Sequence, residues 1–480
     1  MLTRLKVKGF KNLVDLDVRF GPFTCIAGPN GAGKSNLFDA ILLLSRLADQ
    51  SLLEAITSVR GEMRSSEAAR VFARIPGVDN PELSIEAEML VPDRALDDLD
   101  QPAKASITGL SYAVTIRLRR IEGSQVPRLE LVREQLDYIK RGDATTVFPF
   151  AKKKRDWLDS AFTGRRTSAF ISTEASADGA VVKVHEDSGH QGRTRTLRAD
   201  GLTRTVLSTM NTAESPTALV ARRELQSWRL LQLEPSQLRT PDELKSAGRI
   251  SENGRGLAAT VNRLFVEAAH DEAAVRARLT NRLAELVESV RDVRVDVDEK
   301  RELITLLARG VDNIEHRARD LSDGTLRFLA LAVLELDRTW RGTLCLEEPE
   351  NGIHPTRIPA MLDLLQSLAT DLDVAVDETN PLRQVIINTH SPEVAALVPQ
   401  DSLLVTRSRP IAEGGLQLLP LSATWRDGEA DQMVAPGTVL EMLHAGRLAL
   451  IAARDERREV VGTRPELAEQ LLLPLKPEES

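Results

Sequence analysis

The chain has 480 residues, of which 42% are hydrophobic, and a formal net charge of −8 at pH 7. This length predicts two to three domain-sized units with ample core, and the negative charge excludes a global attraction to nucleic acid. No apolar run reaches the length of a membrane span and the first residues lack a signal-peptide pattern, so we expect a cytoplasmic protein without membrane contact. The two cysteines, Cys25 and Cys345, lie in apolar runs and are interpreted as buried, reduced thiols.

The first elements predicted along the chain are strands. Residues 2–10 alternate apolar and basic side chains, which predicts an edge-like strand with one apolar face, and residues 14–20 alternate similarly. Residues 23–27 form a continuous apolar run that leads into a glycine-rich loop as a buried strand. Apolar residues then recur at helical spacing, so the loop is predicted to lie between a strand and a helix.

This loop, residues 28–35, reads Gly-Pro-Asn-Gly-Ala-Gly-Lys-Ser and matches the complete G-x-x-x-x-G-K-S phosphate loop. Glycines let backbone N–H groups approach phosphates, the helix N-terminus adds positive potential, and Lys34 supplies a point charge. The Ser35 hydroxyl is expected to bind Mg²⁺. A structural glycine loop is the alternative, which the flanking elements disfavour. The nucleotide-binding residues predicted here are Asn30, Gly31, Ala32, Gly33, Lys34, Ser35 and Asn36.

The middle of the chain divides into three kinds of sequence. Short alternating runs across residues 83–138 predict an antiparallel sheet. Residues 140–204 are rich in basic and small polar residues and predict a surface insertion, which serves either as a nucleic-acid or partner surface or as a solvated face. Interspersed acids favour the solvated face. The basic clusters are Lys152, Lys153, Lys154 and Arg155, and Arg193, Arg195, Arg198 and Arg204.

A short helical arm is predicted next. Its apolar residues recur at helical spacing, and the arm is far too short for a long coiled coil. These residues are Val275, Leu279, Leu283, Leu286 and Val290.

Residues 321–324, Leu-Ser-Asp-Gly, form a turn ahead of an apolar helix. Alone, this tetrapeptide is most simply a helix cap. A helix that begins at Gly324 would instead point its N-terminal amides and the Ser322 hydroxyl outward, toward an anion held by another subunit. Its position before an acidic strand favours this second interpretation.

Two apolar runs near the end of this region lead into polar residues. Residues 344–346 predict a central buried strand that carries Glu347 and Glu348 to its carboxyl end, where open α/β sheets place ligands. The two carboxylates suit metal binding and orientation of an attacking water. Residues 385–387 predict another strand, followed by His390, which at this place can donate to a γ-phosphate and sense its loss.

Together these motifs resemble the RecF/SMC-like branch of ABC-type ATPases, and more narrowly its short-armed "overcoming lysogenization defect"-like (AAA_21-type) members. The likeness covers about residues 1–140 and 220–410. It rests on Phe10-Lys11-Asn12, on the phosphate loop with Asn36, on Leu-Ser-Asp-Gly-Thr at 321–325, on Glu-Glu-Pro-Glu-Asn-Gly-Ile-His-Pro at 347–355, and on Asn-Thr-His-Ser-Pro at 388–392.

The resemblance implies an α/β ABC-type head of two lobes, with a mixed-sheet core and an antiparallel subdomain, that dimerises head to tail around ATP and Mg²⁺. It implies that Lys34 and Ser35 bind phosphate and Mg²⁺, that Glu347 supports the metal, and that Glu348 is the general base. Ser322 and Gly324 then contact the nucleotide held by the other subunit of the dimer. His390 is the switch residue that senses loss of the γ-phosphate. Lys11 and Asn12 are implied nucleotide contacts.

The sequence departs from the family in three respects. Glu347 stands where many ABC proteins have aspartate, which suggests slow hydrolysis. The family's glutamine-bearing loop is not located, because Gln50 comes too early. Residues 400–480 hold only scattered acids, such as Asp427, Glu429 and Asp431, and no strand leading into the D-x-D of a Toprim nuclease.

We therefore divide the chain into a first ATPase lobe (1–139), a basic insertion (140–220), a helical arm region (221–299), a second lobe (300–410) and a C-terminal extension (411–480). One hypothesis is an ATP-hydrolysing motor or sensor that acts in DNA repair or antiphage defence. In this hypothesis the protein is a homodimer or a higher even-numbered oligomer, contacts DNA and controls a separate effector such as a nuclease. The other is an ATP-dependent scaffold with little turnover that sequesters its effector. Basal turnover with and without DNA separates them.

Overall fold

The computed structural model describes residues 1–59, 61, 63–120, 128–176, 179–185, 187, 195–268, 271–287, 290–426, 433–435 and 438. Arg193, Asp427, Glu429, Asp431 and most of the predicted C-terminal extension lie outside these residues. The strands are β1 (Leu2–Phe10), β2 (Leu13–Arg19), β3 (Phe23–Ala27), β4 (Glu82–Leu90), β5 (Arg94–Leu96), β6 (Pro102–Lys104), β7 (Gly109–Arg119), β8 (Arg128–Tyr138), β9 (Ile171–Ser176), β10 (Gly179–Val184), β11 (Arg195–Arg198), β12 (Arg229–Leu231), β13 (Asp242–Glu243), β14 (Val290–Asp298), β15 (Leu303–Gly310), β16 (Glu315–Arg317), β17 (Gly342–Glu347), β18 (Arg383–Thr389), β19 (Leu403–Ser408) and β20 (Leu416–Pro420). The helices are α1 (Lys34–Leu47), α2 (Leu52–Thr57), α3 (Ala144–Val147), α4 (Arg155–Ala161), α5 (Pro216–Gln226), α6 (Pro235–Leu238), α7 (Leu257–Glu267), α8 (Glu272–Leu286), α9 (Asp323–Leu336), α10 (Ile358–Ser367) and α11 (Pro392–Leu397).

A six-stranded mixed sheet in the order β12-β17-β18-β3-β19-β20 forms the centre of the fold. Every neighbouring pair is parallel except β19 and β20, which are antiparallel. Parallel strands end at the same edge of a sheet, so the residues that follow β12, β17, β18 and β3 are brought together there. The predicted central strands at 344–346 and 385–387 are confirmed as parts of β17 and β18.

This sheet is covered on both faces by separate hydrophobic cores. In β3, Ile26 packs into the first core, whereas Cys25 and Ala27 pack into the second. The strand β17 alternates likewise, with Cys345 in the first core. Burial on both faces explains why these strands read as continuous apolar runs. Both cysteines are free and buried, as expected.

An eight-stranded antiparallel sheet lies beside the first core, in the order β11-β10-β9-β8-β7-β4-β1-β2. The sheet predicted for residues 83–138 is confirmed by β4, β7 and β8. The edge-like position predicted for residues 2–10 is wrong, because β1 pairs on one side with β2 and on the other with β4. One apolar face is compatible with an interior strand, since only one face of an antiparallel sheet needs to meet the core.

The predicted basic insertion is not a separate surface region. The strands β9, β10 and β11 continue the eight-stranded sheet from β8, and Phe148 and Trp157 from the same region are buried in the first core. Its polar composition reflects strands near the end of a sheet, where only part of each strand meets the core.

The predicted arm helix exists as α8, but it packs into the body of the molecule. Leu279 and Leu283 are each only 1% exposed and belong to the second core. Val290 does not extend this helix; it begins β14, which pairs with β15 in a small antiparallel sheet.

The fold class predicted from the sequence, α/β with a mixed central sheet and an antiparallel subdomain, is confirmed. Among helices of the described residues, none has the length and apolar character to cross a membrane.

Candidate functional site

The phosphate loop connects β3 to α1, as predicted. Gly31 and Gly33 have φ angles of 78° and 99°, in the left-handed region that favours glycine. A Cβ at Gly33 would lie 2.0 Å from the Nδ2 atom of Asn12, so the loop also needs glycine there for space. The helix α1 begins at Lys34 without a side-chain cap. The N–H groups of its first turn are therefore available to an anion.

The side chain of Lys34 is folded over this loop. Its Nζ atom donates to the carbonyl oxygens of Gly28 at 2.7 Å and Pro29 at 2.9 Å. Burial lowers the pKa of Lys34, and the carboxylates of Glu348, Glu350 and Glu347 oppose that shift. An ammonium group has three hydrogens, so one remains for a phosphate oxygen.

Lys11 and Asn12 support the loop from the turn between β1 and β2. Asn12 accepts a hydrogen bond from Asn36 Nδ2 at 2.7 Å and donates to the Ala32 carbonyl at 3.2 Å. Lys11 has a φ of 48°, and its ammonium pairs with the buried Asp39 of α1 at 2.6 Å. Both side chains therefore brace the loop and its helix, and their direct contact with nucleotide stays a prediction.

The acidic pair lies at the carboxyl end of β17. Glu347 is the last residue of the strand, and Glu348 follows with a φ of 45°, an uncommon conformation for a residue with a side chain. The Glu348 backbone N–H donates to the carbonyl and the side-chain oxygen of Asn388, both at 3.1 Å, which holds this conformation.

Two polar side chains hold the carboxylate of Glu348. Asn351 Nδ2 donates to its Oε2 atom at 2.7 Å, and His390 Nδ1 lies 2.9 Å from its Oε1 atom. Burial raises the pKa of Glu348, but these two hydrogen bonds outweigh burial and leave the pKa below its ordinary value. The structure thus brings together His390 and Glu348, the residue predicted from the sequence to be the general base.

A cleft of about 440 Å³ is lined by three of the predicted residues, Ser35, Glu347 and Glu348. Mg²⁺ prefers oxygen ligands, and the Ser35 hydroxyl and the Glu347 carboxylate supply them in one cleft. The uncapped N-terminus of α1 suits a phosphate group. The residues present therefore fit a nucleotide with its metal.

The same cleft contains Gln232, which the sequence alone did not locate. It directly follows β12, the neighbour of β17, and its side chain is exposed. Gln50 lies beyond the far end of α1, where its Oε1 atom accepts from Ser58. In the sequence, Gln232 is marked only by its place after a three-residue strand. That signal is too weak to identify a site residue until the pairing of β12 with β17 is known.

Glu350 is a second residue whose environment the sequence did not reveal. It is 7% exposed, accepts a hydrogen bond from Thr389 Oγ1, and its Oε2 atom has no partner among the described residues. Burial raises the pKa of Glu350. A buried carboxyl beside the strand end that carries His390 can therefore be protonated more readily than Glu348.

The Leu-Ser-Asp-Gly turn precedes α9, which begins at Asp323 and not at Gly324 as predicted. Ser322 is the N-cap, and its Oγ atom accepts from the Thr325 N–H at 3.2 Å. Neither Ser322 nor Gly324 lines the cleft of its own chain, whereas Arg327 from the same helix does. The Arg327 side chain donates to the backbone of Asn351 and so joins α9 to the turn after β17.

The predicted basic clusters are partly neutralised by neighbouring acids. Lys154 pairs with Asp373, and Arg198 lies 3.7 Å from Asp200. Arg195 and Arg204 are exposed. This arrangement is typical of a solvated face. In the described residues, no three His, Cys, Asp or Glu side chains converge to hold a metal ion.

Two family profiles match the chain. Residues 207–396 match the family described as "AAA domain, putative AbiEii toxin, Type IV TA system", and residues 4–45 match a family described as "AAA domain".

A segment of 44 residues is 54% identical to the OLD nuclease of Thermus scotoductus and covers 9% of this chain and 8% of that protein. A segment of 45 residues is 51% identical to the DNA replication and repair protein RecF of Magnetococcus marinus and covers 9% of this chain and 12% of that protein. The matched segments thus span a small part of these relatives.

Solved structures similar to the chain include heads of SMC proteins. One is an SMC head bound to the C-winged helix domain of ScpA, with a TM-score of 0.43 and 15% identity, covering 88% of this chain and 98% of that one. Another, from Pyrococcus furiosus, is an SMC head with an extended coiled coil bound to the C-terminal domain of ScpA, with a TM-score of 0.42 and 13% identity, covering 92% and 98%.

The mixed sheet, the phosphate loop after β3 and the acidic end of β17 define a P-loop protein of the ABC-type ATPase class. Within that class, the partial matches to the AAA families and the short segments similar to RecF and OLD nuclease support the predicted resemblance to RecF/SMC-like ATPases.

Proposed function

We propose that the chain hydrolyses ATP. The observation that carries this proposal is the position of Glu348, which lines the cleft with Ser35 and is held in place by His390 and Asn351. Its lowered pKa keeps the carboxylate ionised near neutral pH. Oε1 or Oε2 of Glu348 would orient a water and accept its proton, while His390 Nδ1–H steadies the carboxylate.

The phosphate groups would be held by the loop amides and by the free hydrogen of Lys34. Ser35 and Glu347 would hold Mg²⁺, which when bound neutralises developing phosphate charge. Gln232, which lines the same cleft as Ser35, would position the same water or the metal's water shell. Together with His390, these residues lie at or follow the ends of four strands of one sheet, β3, β12, β17 and β18, which fixes their mutual positions.

We further propose that the ATP-bound form is a head-to-tail dimer. Ser322 is exposed, caps an uninterrupted apolar helix and does not line its own cleft. The Thr325 N–H donates to the Ser322 hydroxyl, and the preceding amides of Asp323 and Gly324 would meet an anion on a second copy. Ser322 and Gly324 would cap the phosphates that the partner's loop holds.

For the biological role, we propose a motor or sensor in DNA repair or antiphage defence that controls a separately encoded nuclease or other effector. The names of the two partial relatives, a nuclease and a DNA repair protein, support a DNA-linked role. The alternative is a scaffold that assembles with ATP, hydrolyses little and sequesters its effector. Glutamate at position 347, where many ABC proteins have aspartate, favours that alternative.

Turnover of the purified protein with and without double-stranded DNA tests these proposals, with Lys34→Ala as the inactive control. Measurable turnover that DNA increases supports a motor or sensor. ATP-dependent dimerisation with negligible turnover in both conditions supports the scaffold. Failure of the wild-type chain to bind ATP contradicts both.

A further inference from the structure

A second cavity, of about 240 Å³, lies at the opposite edge of the central sheet from the nucleotide cleft. Arg229, the first residue of β12, and Arg341, which precedes β17, contribute to its walls. Because β12 has three residues and each strand residue advances about 3.3 Å, Arg229 and Gln232 are separated by roughly 10 Å along the chain. The cavity is therefore distinct from the nucleotide cleft.

The walls of this cavity are strongly cationic. Arg229, Arg249 and Arg341 all line it, and none of them forms an ion pair with any described residue. Among the described residues, the Arg229 guanidinium donates one hydrogen bond, to the Ile250 carbonyl at 3.4 Å. Three unpaired guanidinium groups around one small cavity are unusual in a chain whose net charge is −8.

The nearby acids are already engaged by other groups. Asp337, the acid in the cavity wall, pairs with Arg263 at 2.7 Å and accepts two hydrogen bonds from Thr339. Glu252, the other acid that acts on Arg229, pairs with Arg46 at 3.1 Å. The positive charge of the cavity is therefore not neutralised from within the described residues.

Burial makes the charge of Arg229 costly, whereas Arg249 and Arg341 are exposed. Burial lowers the pKa of Arg229 and the charge of Arg249 adds to this shift, while Glu252 and Asp337 oppose it. A partly buried cation without a counter-ion is unfavourable unless an anion compensates it. One wall is Trp340, which is 5% exposed and whose Nε1 donor has no acceptor among the described residues. The cavity thus offers several donors, and its one carboxylate, Asp337, is already engaged by Arg263 and Thr339.

We propose that this cavity binds a phosphate group, either as inorganic phosphate or as the end group of a small phosphorylated molecule. Guanidinium groups bind phosphate through paired, charge-assisted hydrogen bonds. The volume is below the roughly 300–1,000 Å³ of pockets for drug-sized ligands, which suits a small anion. This inference does not depend on ATP hydrolysis or on dimerisation.

Binding is best measured by calorimetry in Lys34→Ala protein, which removes the competing nucleotide site. Inorganic phosphate and glycerol 3-phosphate are the probes, and tighter binding of one identifies the source of the phosphate group. The double variant Arg249→Gln/Arg341→Gln should bind at least about tenfold more weakly, because hydrogen bonds to charged groups are lost. Both arginines are exposed, so the fold should persist. Arg278→Gln on α8, also exposed, is the matched control and should bind like its parent.

Three results would overturn the proposal. The first is no heat of binding and no rise in melting temperature with either probe. The second is equal affinity in the double variant and the Arg278→Gln control. The third is a short single-stranded DNA that displaces phosphate and binds far more tightly, since this would assign the cavity to nucleic acid.

Discussion

At the residue scale, Glu348 shows how local backbone and side-chain contacts serve one function. Its φ of 45° is sterically costly for a residue with a side chain, and it persists because Asn388 binds the backbone and because Asn351 and His390 bind the carboxylate. Such strain concentrates at functional sites. The conformation turns the side chain out of the strand direction and toward the cleft that contains Ser35.

Replacing Glu348 with glutamine should leave ATP binding intact and reduce turnover by about a hundredfold or more, because a general base contributes roughly that much. The amide keeps the shape but cannot accept the proton, so the ATP-bound dimer should accumulate. Single-turnover hydrolysis and size-exclusion chromatography with ATP measure the two effects. Glu243→Gln, an exposed change in β13, is the control. Full turnover in Glu348→Gln would mean that another carboxylate, that of Glu347 or Glu350, is the general base.

Replacing Lys34 with alanine should weaken ATP binding by at least about tenfold and abolish hydrolysis, since charge-assisted hydrogen bonds to phosphate are lost. The loop also loses the two bonds to the Gly28 and Pro29 carbonyls, so its geometry should loosen. Fluorescent ATP-analogue titration measures the affinity. Lys8→Ala, an exposed lysine on β1, should retain wild-type affinity. If Lys34→Ala bound ATP with wild-type affinity, the assignment of the phosphate loop as the ATP site would be wrong.

At the element scale, the sequence predicts those elements whose signals are local. The phosphate loop, the apolar strands β17 and β18 and the polar residues at their ends follow from residues adjacent in sequence. The position of β1 inside its sheet does not, because its partner β4 begins at Glu82 and alternation is the same for edge and interior strands. Gln232 likewise becomes recognisable only through the pairing of β12 with β17.

The errors at this scale have physical causes. Val290 continues the helical spacing of α8 by coincidence, whereas the alternating valines that follow it favour the strand β14. The insertion is predicted from the basic and small polar composition of residues 140–204, to which the exposed arginines at both ends of β11 contribute. Strands at the end of a sheet need few apolar residues, so composition alone does not reveal them.

Glu134 links two elements of the eight-stranded side of the molecule. It is fully buried in β8, and its carboxylate accepts from the N–H groups of Val206 at 2.6 Å and Leu207 at 2.8 Å and from the Tyr112 hydroxyl at 3.1 Å. The adjacent Thr205 hydroxyl donates to the Leu47 carbonyl at the end of α1. Glu134 therefore anchors a segment that touches the helix of the phosphate loop.

Burial raises the pKa of Glu134 to about 7, from an ordinary value of 4.5, although the surrounding donors favour the ionised form. The folded protein then binds this proton more tightly than the unfolded chain does. The stabilisation is complete below pH 4.5 and is lost as the pH rises through 7. Its size is on the order of 3 kcal/mol, because one pKa unit corresponds to about 1.4 kcal/mol.

Glu134→Leu should therefore be less stable than wild type by a margin that shrinks as the pH rises from 4.5 to 8. Urea unfolding at several pH values measures this difference in the free energy of unfolding. Glu174→Leu on the neighbouring strand β9, where the glutamate is exposed, should show no such pH-dependent difference. A constant difference for Glu134→Leu across this range contradicts the raised pKa.

At the scale of the whole molecule, one central sheet supports two separate polar sites. The carboxyl ends of its parallel strands carry the nucleotide cleft, and the amino ends of β12 and β17 border the arginine-lined cavity. The cores on either face make these strands rigid. Ser322 and Gly324 of the signature turn do not line this cleft, and in the proposed head-to-tail dimer a second copy of the chain would supply them.

The signature turn gives the sharpest test of that dimer. Ser322→Arg should leave ATP binding at Lys34 and Ser35 intact but block ATP-driven dimerisation and hydrolysis, since a bulky cation cannot enter a close-packed phosphate cap. The change also removes the N-cap of α9, which costs about 0.5–2 kcal/mol. Ser322→Gly removes the hydroxyl at a cost of only a few tenths of a kcal/mol in capping, so it separates the two effects.

Mixing Ser322→Arg with Lys34→Ala protein tests whether the site is shared. In a mixed dimer, one composite site carries both defects and the other carries neither, so activity should return, up to half of wild type per dimer if the sites act independently. A strictly coupled pair would stay inactive, so recovery of activity is the informative result. Hydrolysis at the wild-type rate by monomeric Ser322→Arg protein would contradict the shared site, and Ser322 would then serve only as the helix cap seen in α9.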